Sequence, residues 1–413
     1  MSRFIFFVLL IVIKFYLYIS LYRLTNIKFI RCIAIVFCVA SFLSVIFGFY
    51  YISLGFGGGL SSMTFIQNFS IALMLSFFIC EMLIVSFYLL QDLMTIIFIG
   101  FQYFFVKKEK TVKPKRRQFL KKIALLIGGG AFSSFLYGIT WGKYNYKVVN
   151  QELCFDDLPD SFDGFRIAQI SDIHAGSFDN ATAVRRGFDI LQKQNADLIL
   201  FTGDLVNTFA SEIEPYIGDL KKLTAPYGKF SILGNHDYSM YRRLFEDEEH
   251  AKKNSNQIKA HHKSMNFQLL LNKNVKLKKN GEYIRLIGVE NWGRSHHFAK
   301  AGDLDLAIQG CEDKEFSILM SHDPTHWEDK VLDSEKHIHL TLSGHTHGLQ
   351  MGISLPEFKW SPIKYFYKYW AGLYNVKGKY LYVNRGFGFL AFAGRVGMFP
   401  EITIIELKKN KVI

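Results

Sequence analysis

Histidine is absent from the first 150 of the 413 residues, and acidic residues there number only three: Glu81, Asp92 and Glu109. Imidazole chemistry is thereby confined to the remainder, which holds all 13 histidines. The five cysteines, Cys32, Cys38, Cys80, Cys154 and Cys311, include no C-x-x-C pair, which excludes zinc-finger and dithiol redox motifs. Excess positive charge is missing from the polar part of the chain. Sixteen Lys and Arg lie in the first 150 residues, whereas beyond them thirty-three basic residues meet thirty-three acidic ones. A neutral domain has no field to draw in a polyanion, so nucleic acid is not an expected partner. No tandem repeat is evident.

What fills the first 150 residues is Phe, Ile, Leu, Val and Tyr. Apolar runs at about 4–22, 32–54 and 65–90, with a shorter one from Ile123 to Trp141, are each long enough to cross about 30 Å of hydrocarbon. Nine of the sixteen residues 107–122 are Lys or Arg, which marks a cytoplasmic loop, and Arg23, Lys28 and Arg31 mark another. The Gly- and Ser-rich stretch 53–64 then reads as external. One full crossing between 65 and 106, with an interfacial segment after Gln91-Asp92, satisfies both. Lys115-Arg116-Arg117-Gln118-Phe119-Leu120-Lys121 ahead of an apolar segment has the form of a twin-arginine export signal or of a basic helix flank. Either reading sends the chain outward after Trp141. The expectation is an integral cell-membrane protein with residues 1–142 as a transmembrane region of about four helices, 143–160 as a linker, and a 161–413 domain outside the cytoplasm.

Beyond the linker, strand-like runs alternate with helical ones. Arg166–Ser171, Leu198–Phe201 and Phe230–Leu233 read as buried strands, and Ala181–Gln194 and Glu212–Leu223 as helices. Later strand-like runs are Ile284–Val289, Phe316–Met320, His339–Leu342, Lys379–Val383 and Ile402–Leu407. The pattern predicts α/β architecture, a sandwich of two β-sheets flanked by helices, with its site at the carboxyl ends of strands.

Five short blocks follow those apolar runs: Asp172-Ile173-His174, Gly203-Asp204, Gly234-Asn235-His236-Asp237, Ser321-His322 and Gly344-His345-Thr346-His347. Carboxylate and amide oxygens suit hard divalent ions, and imidazole suits borderline ones such as zinc or iron. One zinc would use three or four of these ligands; seven suffice for two ions if a carboxylate bridges. His337 and His339 enter the last block along a strand and read as packed imidazoles. His296-His297, His261-His262, His250 and His326 lack the glycine-turn context. The aromatic run Tyr365–Trp370 reads as core packing or as a surface that leans on a membrane.

The five blocks, in this order, resemble the calcineurin-like metallophosphoesterase superfamily over about residues 160–407. Ala225-Pro226-Tyr227-Gly228, Ser343–Gly348 and Asn384-Arg385-Gly386-Phe387-Gly388 are similar to the membrane-associated bacterial branch that includes twin-arginine-exported phosphodiesterases. The resemblance implies that Asp172, His174 and His347 hold one divalent ion, and Asn235, His322 and His345 a second, with Asp204 bridging. Mn²⁺, Fe or Zn²⁺ would serve. Two such ions about 3.5–4 Å apart acidify a shared water and clamp a phosphate for in-line attack. His236 is the candidate general acid that protonates the departing oxygen, or a donor to a phosphate oxygen. Relatives often carry G-D-x-x-D, whose second carboxylate orients that histidine; here Asn207 stands in its place. The implied function is hydrolysis of a phosphodiester or phosphomonoester, with a lipid or envelope compound among the options. The alternatives are a pyrophosphatase of the UDP-2,3-diacylglucosamine type, whose cytoplasmic chemistry conflicts with the outward orientation, and a non-catalytic scaffold on the same fold.

Overall fold

The computed structural model describes residues 2–22, 28–55, 65–105, 114–239, 245–296, 298–355 and 357–410. It divides into two compact units, one ending at Ile139 and the other beginning at Thr140. The expected external stretch 53–64 and the first half of the basic loop 107–122 lie mostly outside the described residues.

Among the described residues the first unit holds four helices, α1 (Ser2–Tyr22), α2 (Lys28–Gly55), α3 (Phe65–Phe105) and α4 (Pro114–Thr140). Three contain stretches long and apolar enough to cross a membrane, Arg31–Ser53, Ile66–Phe101 and Phe119–Thr140; the described apolar part of α1, Leu10–Tyr22, is shorter. Their outward faces carry Phe29, Val36, Ile96 and Leu126, side chains that lipid solvates and water does not. α3 does not break after Gln91-Asp92 as expected. It continues as one helix of 41 residues, about 60 Å long. Asp92 accepts a hydrogen bond from Tyr16 on α1, so its carboxylate has a partner inside the bundle. Glu81 on α3 pairs with Lys14 on α1 at 2.9 Å, and the same ammonium reaches Ser41 on α2. One ion pair thus ties three helices together.

Among the described residues the second unit carries fourteen strands. The first seven are β1 (Lys147–Phe155), β2 (Phe165–Ile170), β3 (Leu198–Phe201), β4 (Lys229–Ser231), β5 (Gln268–Leu269), β6 (Lys273–Lys279) and β7 (Glu282–Gly288). The rest are β8 (Ser317–Met320), β9 (Leu340–Ser343), β10 (Ile353–Ser354), β11 (Lys359–Trp360), β12 (Gly372–Val376), β13 (Lys379–Val383) and β14 (Glu401–Lys409). Two six-stranded sheets result, ordered β1-β14-β2-β3-β4-β5 and β12-β13-β9-β8-β7-β6. β2, β3 and β4 run parallel, as do β7, β8, β9 and β13. The short central strands Leu198-Ile199-Leu200-Phe201 and Ser317-Ile318-Leu319-Met320 are buried along their whole length, as parallel strands covered on both faces require. Between the sheets Ile167, Leu200, Phe230, Leu286, Ile318 and Leu342 form one apolar core.

Residues 147–155, expected within a linker, form the edge strand β1, which pairs with β14 over nine residues. Its half-exposed alternation of polar and apolar side chains hides the strand from a search for buried runs. Amphipathic α5 (Ala181–Gln192) is capped by Asn180, whose side chain accepts from Ala183 N–H. The Glu212–Leu223 helix is split into a 3₁₀ segment, Ala210–Tyr216, and α6 (Ile217–Lys222). α7 spans Glu248–Ser264 and is capped by Asp247, whose side chain accepts from His250 N–H.

Candidate metal centre

Every predicted ligand lies just beyond the carboxyl end of a parallel strand. Asp172 and His174 follow β2, Asp204 follows β3, and Asn235 and His236 follow β4. From the other sheet, His322 follows β8, and His345 and His347 follow β9. The loops are tied to one another by main-chain bonds: Asp172 N–H to Gly203 O, His174 N–H to Asp204 O, and Gly344 N–H to His322 O. The Asp172 carboxylate also accepts His345 N–H at 3.0 Å, linking the two sheets at the site.

The side chains converge. Asp172, His174 and His347 form one group of ligand atoms lying within 4.8 Å of one another; Asp204, His322 and His345 form a second; His174, Asp204 and His236 form a third between them. Asp204 belongs to two of the three. Five of these residues hold left-handed backbone: Asp172, His174, Asp204, His345 and His347 have φ between 47° and 71°. Such conformations cost energy for residues with a Cβ and persist where surrounding structure imposes them. The glycines are sterically required. A Cβ on Gly234 would overlap the Asp204 carboxylate, and one on Gly344 would overlap Ser171 Oγ and Asp172 Oδ2.

Several of these polar atoms are buried without a hydrogen-bond partner among the described residues: both ring nitrogens of His174, Asn235 Oδ1 and His347 Nε2. Orphaned polar atoms are expensive in a folded interior. His347 Nε2 lies 3.2 Å from Asp172 Oδ1 but is not aligned as a hydrogen bond. His322 Nδ1 lies 2.7 Å from the carbonyl of Thr202, which can only accept. Nδ1 therefore carries a proton, and Nε2 faces His345 Nδ1 at 3.3 Å and Asp204 Oδ2 at 3.2 Å. Two nitrogens at that spacing, one oriented by an outer carbonyl, suit ligation of a common cation. His345 is fixed from the other side by Tyr367, whose hydroxyl lies 2.8 Å from Nε2.

The electrostatics fit the same occupant. Burial would raise Asp172 and Asp204, yet neighbouring imidazoles hold both carboxyls well below their usual range. Burial would lower His322, but the Asp204 and Asp172 carboxylates push it up to about 10. Burial pushes His174, His345 and His347 down, which favours the neutral rings that ligate a cation. Asp237 behaves oppositely, pushed up to about 7 by burial and by the Asp204 charge.

Four contributors were not singled out from sequence. Asp237 accepts the N–H groups of Gly234, Asp204 and Leu205. Thr202 and Tyr367 orient two imidazoles. Arg395, fully buried, donates to carbonyls of Arg385, Gly386, Gly388 and His347 and lies 3.1 Å from His347 Nδ1. Only Asp237 stands within a recognised block; the others come from loops without a motif. Asn207 takes a different role from the one expected. His236 Nδ1 meets its backbone oxygen at 2.8 Å, while its side chain bonds Ser177. His339 is packed against Phe316 and bonded to Asp157. Arg294 is engaged by Glu328 and Asp329.

Comparison with known proteins agrees with this geometry. Residues 165–349 match the calcineurin-like phosphoesterase family, and residues 1–143 match the probable calcineurin-like phosphoesterase transmembrane domain. An uncharacterized metallophosphoesterase of Bacillus subtilis, YkuE, is 29% identical over 309 residues, 72% of this chain and 99% of that one. A zebrafish (Danio rerio) transmembrane protein with metallophosphoesterase domain is 28% identical over 281 residues, 66% of this chain and 60% of that one. A Helicobacter pylori uncharacterized metallophosphoesterase is 26% identical over 322 residues, 75% of this chain and 76% of that one. The chain therefore joins a calcineurin-like phosphoesterase domain, a hydrolase of phosphoric esters, to an N-terminal transmembrane phosphoesterase domain.

Proposed function

We propose that this membrane protein hydrolyses a phosphodiester or phosphomonoester at a dinuclear site. Asp172, His174 and His347 hold one divalent cation, Asn235, His322 and His345 hold the other, and Asp204 bridges. The observation that carries the reading is the position of Asp204 in two adjoining ligand groups, with unpartnered nitrogens and an amide oxygen around it. When bound, the cations supply an acidified water and neutralise phosphate charge.

The chain's own residues do the rest. His236 donates Nδ1–H to the Asn207 carbonyl, which orients the ring and its Nε2. From that nitrogen it donates a proton to the departing oxygen. His236 N–H also donates to Asp204 Oδ1 at 2.8 Å, which keeps the acid in register with the bridging carboxylate.

Membrane attachment favours a lipid-linked or envelope phosphate ester as substrate. The basic stretch 107–122 and the Arg116-Arg117 segment favour a domain outside the cytoplasm, through a twin-arginine route or as a basic flank. That orientation disfavours a cytoplasmic nucleotide-lipid substrate.

The test uses the full chain in detergent with Mn²⁺, assayed on p-nitrophenyl phosphate and bis-p-nitrophenyl phosphate, with metal content measured in parallel. Two metal equivalents are expected, with one lost in His345→Ala and one in His347→Ala. Asp204→Asn should reduce turnover by about a thousandfold or more. Wild-type turnover in Asp204→Asn, or a chain that binds no metal, would end the proposal.

A further inference from the structure

The turn that carries His347 leads directly into an exposed apolar rim. Leu349, two residues on, is 40% exposed with a φ of 51°. β10 and β11 then pair as a short hairpin, Ile353 opposite Trp360 and Ser354 opposite Lys359. At its tip Leu355 and Phe358 exchange two backbone hydrogen bonds, and their side chains are 61% and 53% exposed. On the next turn Tyr365 and Phe366 are 71% and 77% exposed. Exposed apolar groups gathered on adjoining turns mark an interaction surface.

Three features narrow the partner. Lys359, Lys364 and Lys368 alternate with these aromatics and are exposed, Lys359 also donating to Ala371 O and Lys368 lying 3.7 Å from Glu328, and Glu357 is the only acidic residue of 351–370. Aromatic and aliphatic tips among lysines suit the boundary between acyl chains and anionic headgroups. The chain is itself a membrane protein, so a bilayer is always close at hand. The rim is also fixed to the candidate centre. Ser361 Oγ donates to Gly348 O at 2.7 Å, Arg385 to Ser354 Oγ at 2.7 Å, and Tyr367 meets His345 Nε2.

We infer that the hairpin 353–360 and the turn 362–366 dock on an anionic bilayer surface. Leu355, Phe358, Tyr365 and Phe366 enter the interface and the lysines lie among the headgroups. Docking in this way presents headgroup phosphates to the edge of the centre at His345. That last step rests on the phosphoesterase reading; the docking itself does not.

The full chain provides the test, with Cys32, Cys154 and Cys311 replaced by serine and the membrane-helix residues Cys38 and Cys80 retained. A single cysteine at Phe358, Phe366 or Lys278 carries an environment-sensitive fluorophore. Lys278 is the control, exposed on the lysine-rich edge strand β6. The chain is reconstituted into phosphatidylcholine–phosphatidylglycerol vesicles with acyl-chain nitroxide lipids. Fluorescence at positions 358 and 366 should fall about twofold or more while position 278 changes little. Equal quenching at all three positions, or none at 358 and 366, overturns the docking. So does shielding of 358 and 366 that depends on protein density instead of lipid, which assigns the rim to a second copy of the chain.

A second arm avoids engineered cysteines. In brominated-lipid vesicles the quenched share of wild-type tryptophan fluorescence should fall in Phe358→Asp; an unchanged share counts against docking. Mn²⁺-dependent hydrolysis of p-nitrophenyl phosphate by the wild type is measured alongside. Hydrolysis without rim quenching removes the docking and leaves the phosphoesterase standing. Quenching without hydrolysis does the reverse.

Discussion

Asp237 holds Asp204 by its main chain: the Oδ2 atom of Asp237 accepts the Asp204 N–H at 3.0 Å and the Gly234 N–H at 2.9 Å. Its other oxygen takes Leu205 N–H at 2.9 Å. One buried carboxylate therefore sets the turn after β3 against the turn after β4. Asp237→Ala strands four buried donors, the Val206 N–H at 3.4 Å among them, and should cost about 3 kcal/mol or more. Asp237→Asn keeps a single accepting oxygen and should fall between that variant and wild type. Thermal unfolding of the full chain checks the order, and metal content should decline in the same order. Equal melting temperatures for all three proteins would show that the carboxylate does not organise these turns.

The two glycines Gly344 and Gly218 should respond in opposite directions to alanine. At Gly344 the new methyl meets Ser171 Oγ and Asp172 Oδ2, so the turn must shift, at a cost of about 1–3 kcal/mol. Metal retention should fall with it. At Gly218, in α6, nothing lies within 4 Å of the added carbon, and alanine should stabilise by about 0.5–1 kcal/mol. Differential scanning fluorimetry of the two variants is sufficient.

Lys14 and Glu81 form a test of non-additivity. Both side chains are largely enclosed, and removing one leaves the other's charge unpaired in an apolar bundle. Lys14→Met or Glu81→Leu alone should destabilise by about 3–5 kcal/mol, whereas the double variant should recover most of that loss. A double-variant cycle on thermal or denaturant unfolding in detergent measures the coupling. Additive losses would mean the pair is not formed.

Glu315 predicts an acid limb in stability. Burial would raise its carboxyl, but the Arg285 guanidinium and the Tyr283 hydroxyl hold it at about 2. A depressed folded value means the unfolded chain binds the proton first. The stabilisation is fully present above the ordinary value of 4.5 and is lost as pH falls from there through about 2. Glu315→Gln should unfold at a lower temperature at neutral pH and show a flatter decline over that acid window.

Much of the candidate site was legible because its residues occur in blocks that directly follow buried apolar runs. Asp172, Asp204, His322 and His345 each stand within two residues of a strand end or turn glycine, so local pattern led to them. What supports them was not legible. Arg395, Tyr367 and Thr202 act through main-chain or long-range contacts that no spacing records. Asn207 was noticed for its side chain, and its carbonyl does the orienting. β1 escaped because its partner, β14, lies some 250 residues away in sequence. Lys14 and Glu81 were visible as isolated charges, but only packing brings α1 and α3 together.

The left-handed backbone at Asp172, His174, Asp204, His345 and His347 has a thermodynamic consequence. Each of these positions would be more comfortable with glycine, by about 1 kcal/mol. The fold therefore carries this strain in the same five residues whose polar atoms meet at the candidate centre, and a glycine placed at any one of them trades a candidate ligand atom for a more relaxed turn.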